Sequence, residues 1–339
     1  PNGRFGNRNH CIHRGFCLQG CKVNAKASPL ITHIPDALAH GAEIRADCMV
    51  SQVKLDEDGR ACGVSYFHGG VERFQRAAMV AIAGYSIETP RLLLNSAERR
   101  YPDGLLNNCG QVGHYLMVQG AAQTSGRFDE EVRMYKAPPP EVFYETDPTK
   151  PYQRGFSIQN ISPLPITHAE HVTAQGHWGE VLREYMRDYV HWATLGSMCE
   201  FLPRYDNAVT LAERTDRFGL PVARFAYSQC DNDRLLVDAA QVKMEQILTA
   251  AGATETMTIK RFAHLVGGAR MAANENDGVV DGDLRSFAVP NLFITDGSVL
   301  PTQGSANPGL TIMALAARCA DRLIAGAHAG LNDTRALRR

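Results

Sequence analysis

A chain of 339 residues with 44% hydrophobic content is long enough to bury a large core and to form two domains. Its formal net charge of -1 recommends neither nucleic acid nor an anionic membrane as a general partner, and no apolar run is long enough to predict a membrane span. The start, Pro1-Asn2-Gly3-Arg4, carries no apolar signal-peptide stretch and no initiator Met, so a processed chain or a fragment is expected.

Nine cysteines, an odd number, are too few for a disulfide scaffold. Three cluster near the start as C-x5-C-x3-C: Cys11, Cys17 and Cys21. Three thiolates on a short Gly-containing loop suit one soft metal centre, either an iron-sulfur cluster or zinc completed by His10 or His13. Three free thiols in a surface loop are the plain alternative. The other six (Cys48, Cys62, Cys109, Cys199, Cys230, Cys319) read as small buried core residues.

Strands and turns then alternate. Residues 42–55 are strand-like, Asp56-Glu57-Asp58-Gly59 is a turn, Cys62 to Phe67 returns, and His68-Gly69-Gly70 turns again. The apolar run Ala77 to Gly84 predicts a buried strand. A helix follows at 86–96, with Thr89 as N-cap and Pro90 at its first position. Further on, Pro138-Pro139-Pro140 and 145–154 read as loops, while 207–211 and 220–227 read as strands joined by a charged turn. Residues 233–251 form an amphipathic helix with Leu236, Val237, Ala240, Met244, Ile247 and Leu248 on its core face. A last helix at 309–325 is expected to bury Leu310, Met313, Ala314, Ala317 and Leu323, and the tail 332–339 to fray.

Two residues near the end carry the most specific chemistry. His264 lies in Phe262-Ala263-His264-Leu265-Val266-Gly267-Gly268 and Asn307 in Gly304-Ser305-Ala306-Asn307-Pro308-Gly309. Oxidising an alcohol removes a proton from oxygen and a hydride from carbon. Imidazole is the side chain whose pKa already suits the proton, and an amide can donate to the developing alkoxide without competing for it. The hydride acceptor must be a cofactor. Taken singly, His264 is a satisfied core histidine and Asn307 an Asn-Pro turn former.

The two segments with their neighbours, the strand-turn-helix at 77–96 and Gly110-Gln111-Val112-Gly113-His114-Tyr115-Leu116-Met117 together resemble the glucose-methanol-choline (GMC) family of flavoprotein oxidoreductases. Tyr85 stands where that family commonly has a small residue, usually Gly. The resemblance implies an α/β fold, with a partial FAD-binding, Rossmann-like domain interleaved with an antiparallel-sheet α+β substrate domain. It implies a cysteine loop over 1–26, FAD-binding parts over 27–117 and 259–339, and a substrate domain over 118–258. His264 and Asn307 would be catalytic. Val50, Ala83, Gly84, Glu88, Thr89, Asp296, Gly297, Pro308 and Thr311 would contact FAD.

The cysteine spacing resembles that of bacterial sugar and sugar-acid dehydrogenase subunits of the family, which implies a [3Fe-4S] cluster on Cys11, Cys17 and Cys21. It also implies a gluconate-like or other sugar or polyol substrate, a cytochrome c subunit, and a small partner that carries the export signal to the periplasm. An oxygen-using oxidase and a silent metal- or partner-binding fragment are the competing readings. No G-x-G-x-x-G turn occurs in the sequence, so the N-terminal ADP-binding unit is expected to be missing. Weak FAD binding by this chain alone and an exposed edge at the 77–84 run would follow.

Overall fold

A computed structural model describes residues 6, 8–136, 142–161 and 164–328. The proline loop at 138–140 and the tail at 332–339 lie outside the described residues. In chain order the elements are α1 (His33–Ala39), β1 (Met49–Leu55), β2 (Ala61–His68), β3 (Val71–Arg76), β4 (Val80–Ile82), α2 (Tyr85–Asn95), β5 (Met117–Arg127), β6 (Val142–Glu145) and β7 (Phe156–Asn160). They continue with α3 (Pro165–Ala174), α4 (Glu180–Arg187), β8 (Trp192–Cys199), β9 (Ala208–Thr215), β10 (Pro221–Ala226), α5 (Asp231–Ala250), β11 (Glu255–Val266), β12 (Leu292–Ile294) and α6 (Gly309–His328). The class is mixed α/β, as expected. Contacts divide the chain into two units, each built from three segments.

The first unit comprises Pro1–Ala46, Gly120–Cys199 and Leu235–Arg261. Its centre is a five-stranded sheet in the order β11-β5-β8-β7-β6, in which β5–β8, β8–β7 and β7–β6 pair antiparallel. Helix α5 presents Leu236, Val237, Ala240, Met244 and Leu248 as a buried stripe, as its 3.6-residue period predicts. A second cluster joins Val172 of α3, Trp192 of β8 and Met257 of β11, with Leu182 and Tyr185 of α4 against it.

The second unit comprises Asp47–Gln119, Glu200–Arg234 and Phe262–Arg339. Strands β1, β2 and β3 form an antiparallel sheet, β9 and β10 a hairpin, and β4 pairs in parallel with β12. Val80 and Ile82 of β4, Leu292 and Ile294 of β12 and Leu93 of α2 are buried in its main core. Among the described residues β4 has no strand on its other edge.

Several expectations need correction. The first strand starts at Met49, not Ala42, because Asp47 turns the chain with φ 55. The 77–84 run forms only a three-residue strand. Ahead of it the Ala77 N–H donates to the Cys62 carbonyl of β2 at 3.0 Å, and the Ala78 carbonyl accepts from Asn291 Nδ2 at 2.7 Å. Helix α2 starts at Tyr85, so Pro90 lies inside it and Thr89 is not its N-cap.

The core face of α6 is also different. Ile312, Leu315, Cys319 and Leu323 pack inward, whereas Leu310, Met313, Ala314 and Ala317 are exposed. The helix carries apolar residues at helical spacing on two faces, and periodicity alone does not choose between them. Of the scattered cysteines, Cys199 and Cys319 are buried and the other four only partly so.

Candidate active site

His264 sits near the end of β11 with φ 49, a left-handed backbone that is uncommon away from glycine. Its carbonyl accepts a hydrogen bond from Gln303 Nε2 at 2.8 Å. The glycines that follow are required by close approach. A Cβ on Gly267 would lie 2.1 Å from the Tyr115 carbonyl oxygen, and one on Gly268 would lie 2.8 Å from Pro90 Cγ. The chain therefore passes tightly beside α2, and Ser86 Oγ of that helix donates to the Leu265 carbonyl at 3.1 Å.

The imidazole is half-buried and engaged at both nitrogens. Nδ1 lies 2.5 Å from Gln119 Oε1, and Nε2 lies 3.2 Å from Asn307 Nδ2. The two residues singled out in the sequence, 43 positions apart, are thus in contact. Gln119 is fully buried on β5, and its Nε2 donates to the carbonyls of Gly304 at 2.9 Å and Ala306 at 3.3 Å. Burial lowers the His264 pKa below the ordinary imidazole value, so at neutral pH the ring is uncharged and one nitrogen keeps a lone pair.

A chain of hydrogen bonds runs from this pair to the residues expected at a flavin. Gly267 N–H donates to the Gly297 carbonyl at 3.0 Å. The neighbouring Asp296 accepts from Ser298 N–H through Oδ1 at 2.7 Å and from the Thr89 hydroxyl through Oδ2 at 2.6 Å. The Thr89 hydroxyl in turn accepts from Gly84 N–H at 3.0 Å. Gly84 lies on the wall of a cavity of about 500 Å³ that is also lined by Val50, Ala83 and Glu88. Neither His264 nor Asn307 lines that cavity.

The donor set fits FAD. The cavity has the size of a small-molecule site. Ser51 on its wall and Ser298 beside Gly297 each bury a hydroxyl that has no hydrogen-bond partner among the described residues. Buried polar groups are normally paired, so these two hydroxyls are available to a polar ligand. Pro308 is buried ahead of α6, while Gly309 and Thr311 in its first turn are exposed. A Cβ on Gly309 would meet nothing within 4 Å, so that end of the helix is open.

The cysteine loop lies in the first unit. Cys11, Cys17 and Cys21 line one cavity of about 270 Å³. Cys21 Sγ accepts from the N–H groups of Ala25 at 3.2 Å and Lys26 at 3.4 Å, and Cys11 Sγ from His13 N–H at 3.5 Å. These bonds, that from Lys26 first, hold the Cys21 thiol below its usual pKa and so favour the thiolate a soft metal needs. Among the described residues no group of three His, Cys, Asp or Glu side chains closes into a metal-holding set. No described helix is long and apolar enough to cross a membrane.

Gln119, Gln303, Ser51 and Ser298 escaped the sequence reading. For Gln119 the signal available was a polar side chain directly after the apolar run Leu116-Met117-Val118. Tyr85, flagged in the sequence as standing where Gly is common, adopts φ 58 with half its surface exposed.

Comparison with known proteins identifies the family. Two sequence profiles described as GMC oxidoreductase match residues 4–119 and 203–316. The chain is 33% identical to a 2-methyl-1,2-propanediol dehydrogenase of Mycolicibacterium austroafricanum over 91% of this chain and 59% of the relative. It is 26% identical to the fructose dehydrogenase large subunit of Gluconobacter japonicus over 94% of this chain and 60% of the relative. It thus spans about three-fifths of the length of these relatives. A solved formate oxidase of Aspergillus oryzae RIB40, studied for its FAD modification, shares the fold with TM-score 0.63 at 16% identity, over 84% of this chain and 61% of the other. One profile contains the cavity wall and Gln119, and the other contains His264, Asn307 and the Asp296-Gly297 pair, so the chain belongs to the GMC oxidoreductase family.

Proposed function

We propose that this protein is an FAD-dependent dehydrogenase that oxidises an alcohol carbon of a sugar, polyol or sugar acid, with gluconate-like substrates favoured. The observation that carries the reading is the neutral His264 held 3.2 Å from Asn307. A substrate hydroxyl that replaces this contact meets a lone pair that takes its proton and an amide that donates to the alkoxide. FAD, when bound, supplies the acceptor for the hydride. Val50, Ala83, Gly84, Glu88, Thr89, Asp296, Gly297, Pro308 and Thr311 would hold it. The names of the relatives, a diol dehydrogenase and a fructose dehydrogenase, support a polyol or sugar as substrate.

The same reading assigns Cys11, Cys17 and Cys21 to an iron-sulfur centre, supported by their shared cavity and the N–H bonds to sulfur. Such a centre, when bound, supplies one-electron transfer away from the flavin. A cytochrome c subunit then receives the electrons, and a small partner carries the assembly to the periplasm. The cysteine loop favours this over an oxygen-using oxidase, which needs no such exit.

The test is anaerobic flavin reduction in the FAD-loaded protein, followed by its absorbance on mixing with gluconate, glucose, fructose or a vicinal diol, alongside iron and zinc analysis. Bleaching by at least one of these substrates, with iron lost in the Cys17→Ser variant, is the expected result. No bleaching by any of them sinks the dehydrogenase reading. Stoichiometric zinc without iron sinks the electron-exit role.

A further inference from the structure

We propose that Gln119 is a positioning residue for the base: it selects the Nδ1–H tautomer of His264 and so reserves Nε2 as the proton acceptor. The inference rests on the reading of His264 as the base. It follows from what each neighbour can and cannot do in a hydrogen bond.

One end of the Gln119 amide faces the carbonyls of Gly304 and Ala306, at 2.9 and 3.3 Å. Carbonyls only accept, so that end must be the NH2 group. The other end, which lies 2.5 Å from His264 Nδ1, is therefore the amide oxygen. An amide oxygen only accepts as well, so Nδ1 must carry the proton. In the neutral ring that leaves Nε2 with the lone pair, and Nε2 is the nitrogen that faces Asn307. The amide orientation is thus set by two backbone carbonyls, and the tautomer is set by the amide.

Burial makes the selection firm. Gln119 is fully buried, so no water competes for its oxygen. Gln303 holds the backbone of the same histidine through its carbonyl at 2.8 Å. The carbonyls that orient Gln119 belong to residues 304 and 306, immediately before Asn307, so one side chain fixes both the ring and the segment that carries its partner.

The wrong tautomer would place a proton on Nε2, turning the acceptor into a donor toward the substrate hydroxyl. Loss of a partner that orients a reacting imidazole is expected to lower turnover about 10- to 100-fold. KM should change little, because Gln119 faces the ring and not the ligand.

The experiment is 15N NMR of protein labelled at histidine, at a pH above the lowered His264 value, with the His264 signals assigned by their loss in His264→Ala. The parent should show a protonated Nδ1 and an unprotonated Nε2. Gln119→Met, similar in volume but without the amide, should lose that preference and the corresponding turnover. Gln119→Glu should restore both. Its outer oxygen must keep its one proton to donate to the nearer carbonyl, that of Gly304, and its inner oxygen still accepts from Nδ1.

A protonated Nε2 in the parent overturns the proposal, and so does an unchanged tautomer in a folded Gln119→Met variant. If that variant does not fold, the parent spectrum decides. If His264→Ala keeps full turnover while the parent tautomer is as stated, the base reading has failed and the Gln119 assignment stands.

Discussion

Two histidines of this protein meet a glutamine on the same strand, β5, and are used in opposite ways. In the first unit His171 is fully buried. Its Nε2 donates to Gln123 Oε1 at 3.1 Å and its Nδ1 faces Ser125 Oγ at 2.9 Å, which is bonded in turn to Thr194 Oγ1 at 2.7 Å. In the second unit His264 gives its Nδ1 proton to Gln119 and leaves Nε2 toward the exposed Asn307. Burial lowers the pKa of both rings, that of His171 to about 4 with smaller contributions from Arg261 and His168. A depressed pKa is therefore shared by a structural and a reactive histidine. What separates them is whether the second nitrogen is closed off by the protein or left facing an open, exposed partner.

The comparison breaks most sharply on turnover. His264→Ala should cost at least about two orders of magnitude in activity, the scale of general-base catalysis, with flavin content nearly unchanged. His171→Leu should leave the activity of each folded molecule close to that of the parent. Equal losses in the two variants would remove the distinction.

Acid comes next. The unfolded His171 ring titrates near 6.5 and the folded one at about 4. Between those values the unfolded chain binds more protons, so stability rises with pH. It is whole above 6.5 and is lost as pH falls from 6.5 toward 4, by about 3 kcal/mol from this ring alone. Both tryptophans, exposed Trp178 and buried Trp192, lie in the first unit, so denaturant titrations followed by tryptophan fluorescence report that unit. His171→Leu should flatten the slope between pH 4 and 6.5, and His264→Ala, which removes a less buried ring, should flatten it less.

At neutral pH the same His171→Leu variant should destabilise the first unit by about 1–3 kcal/mol, because Gln123 loses its donor inside the core. A rise in the fluorescence midpoint would contradict a satisfied structural network. The smallest effect belongs to the second unit: Tyr85→Gly removes a side chain from a left-handed position and should raise stability by up to about 1 kcal/mol, read as a higher melting temperature.

The family signature and the His264–Asn307 pair were legible in the sequence because short motifs there carry unusual residue types: two consecutive glycines, an Asn-Pro and a histidine inside an apolar run. The stripe of α5 was legible because charged and polar residues dominate its other side, where Leu235 and Val242 are the large apolar exceptions among the described residues. The stripe of α6 was not, because two of its faces are apolar. The start of α2 was missed for a related reason. Thr89 and Pro90 have the local chemistry of a helix start, but the Thr89 hydroxyl bonds Asp296, 207 positions away, and Gly84.

The sequence by itself determined the thiol cluster at the start of the chain, which spacing shows, and the motifs that carry the family resemblance, from which the residue types for alcohol oxidation and the mixed α/β class were expected. Tertiary structure alone decided which imidazole nitrogen carries the proton and which serine hydroxyls are buried without a partner among the described residues. It also decided which face of α6 turns inward. Each of these depends on groups far apart in the chain: Gln119 reaches His264 across 145 positions, and its own orientation is set by carbonyls a further 40 residues on. No local pattern records a contact of that range, because a hydrogen bond is chosen by the neighbours a group meets after folding.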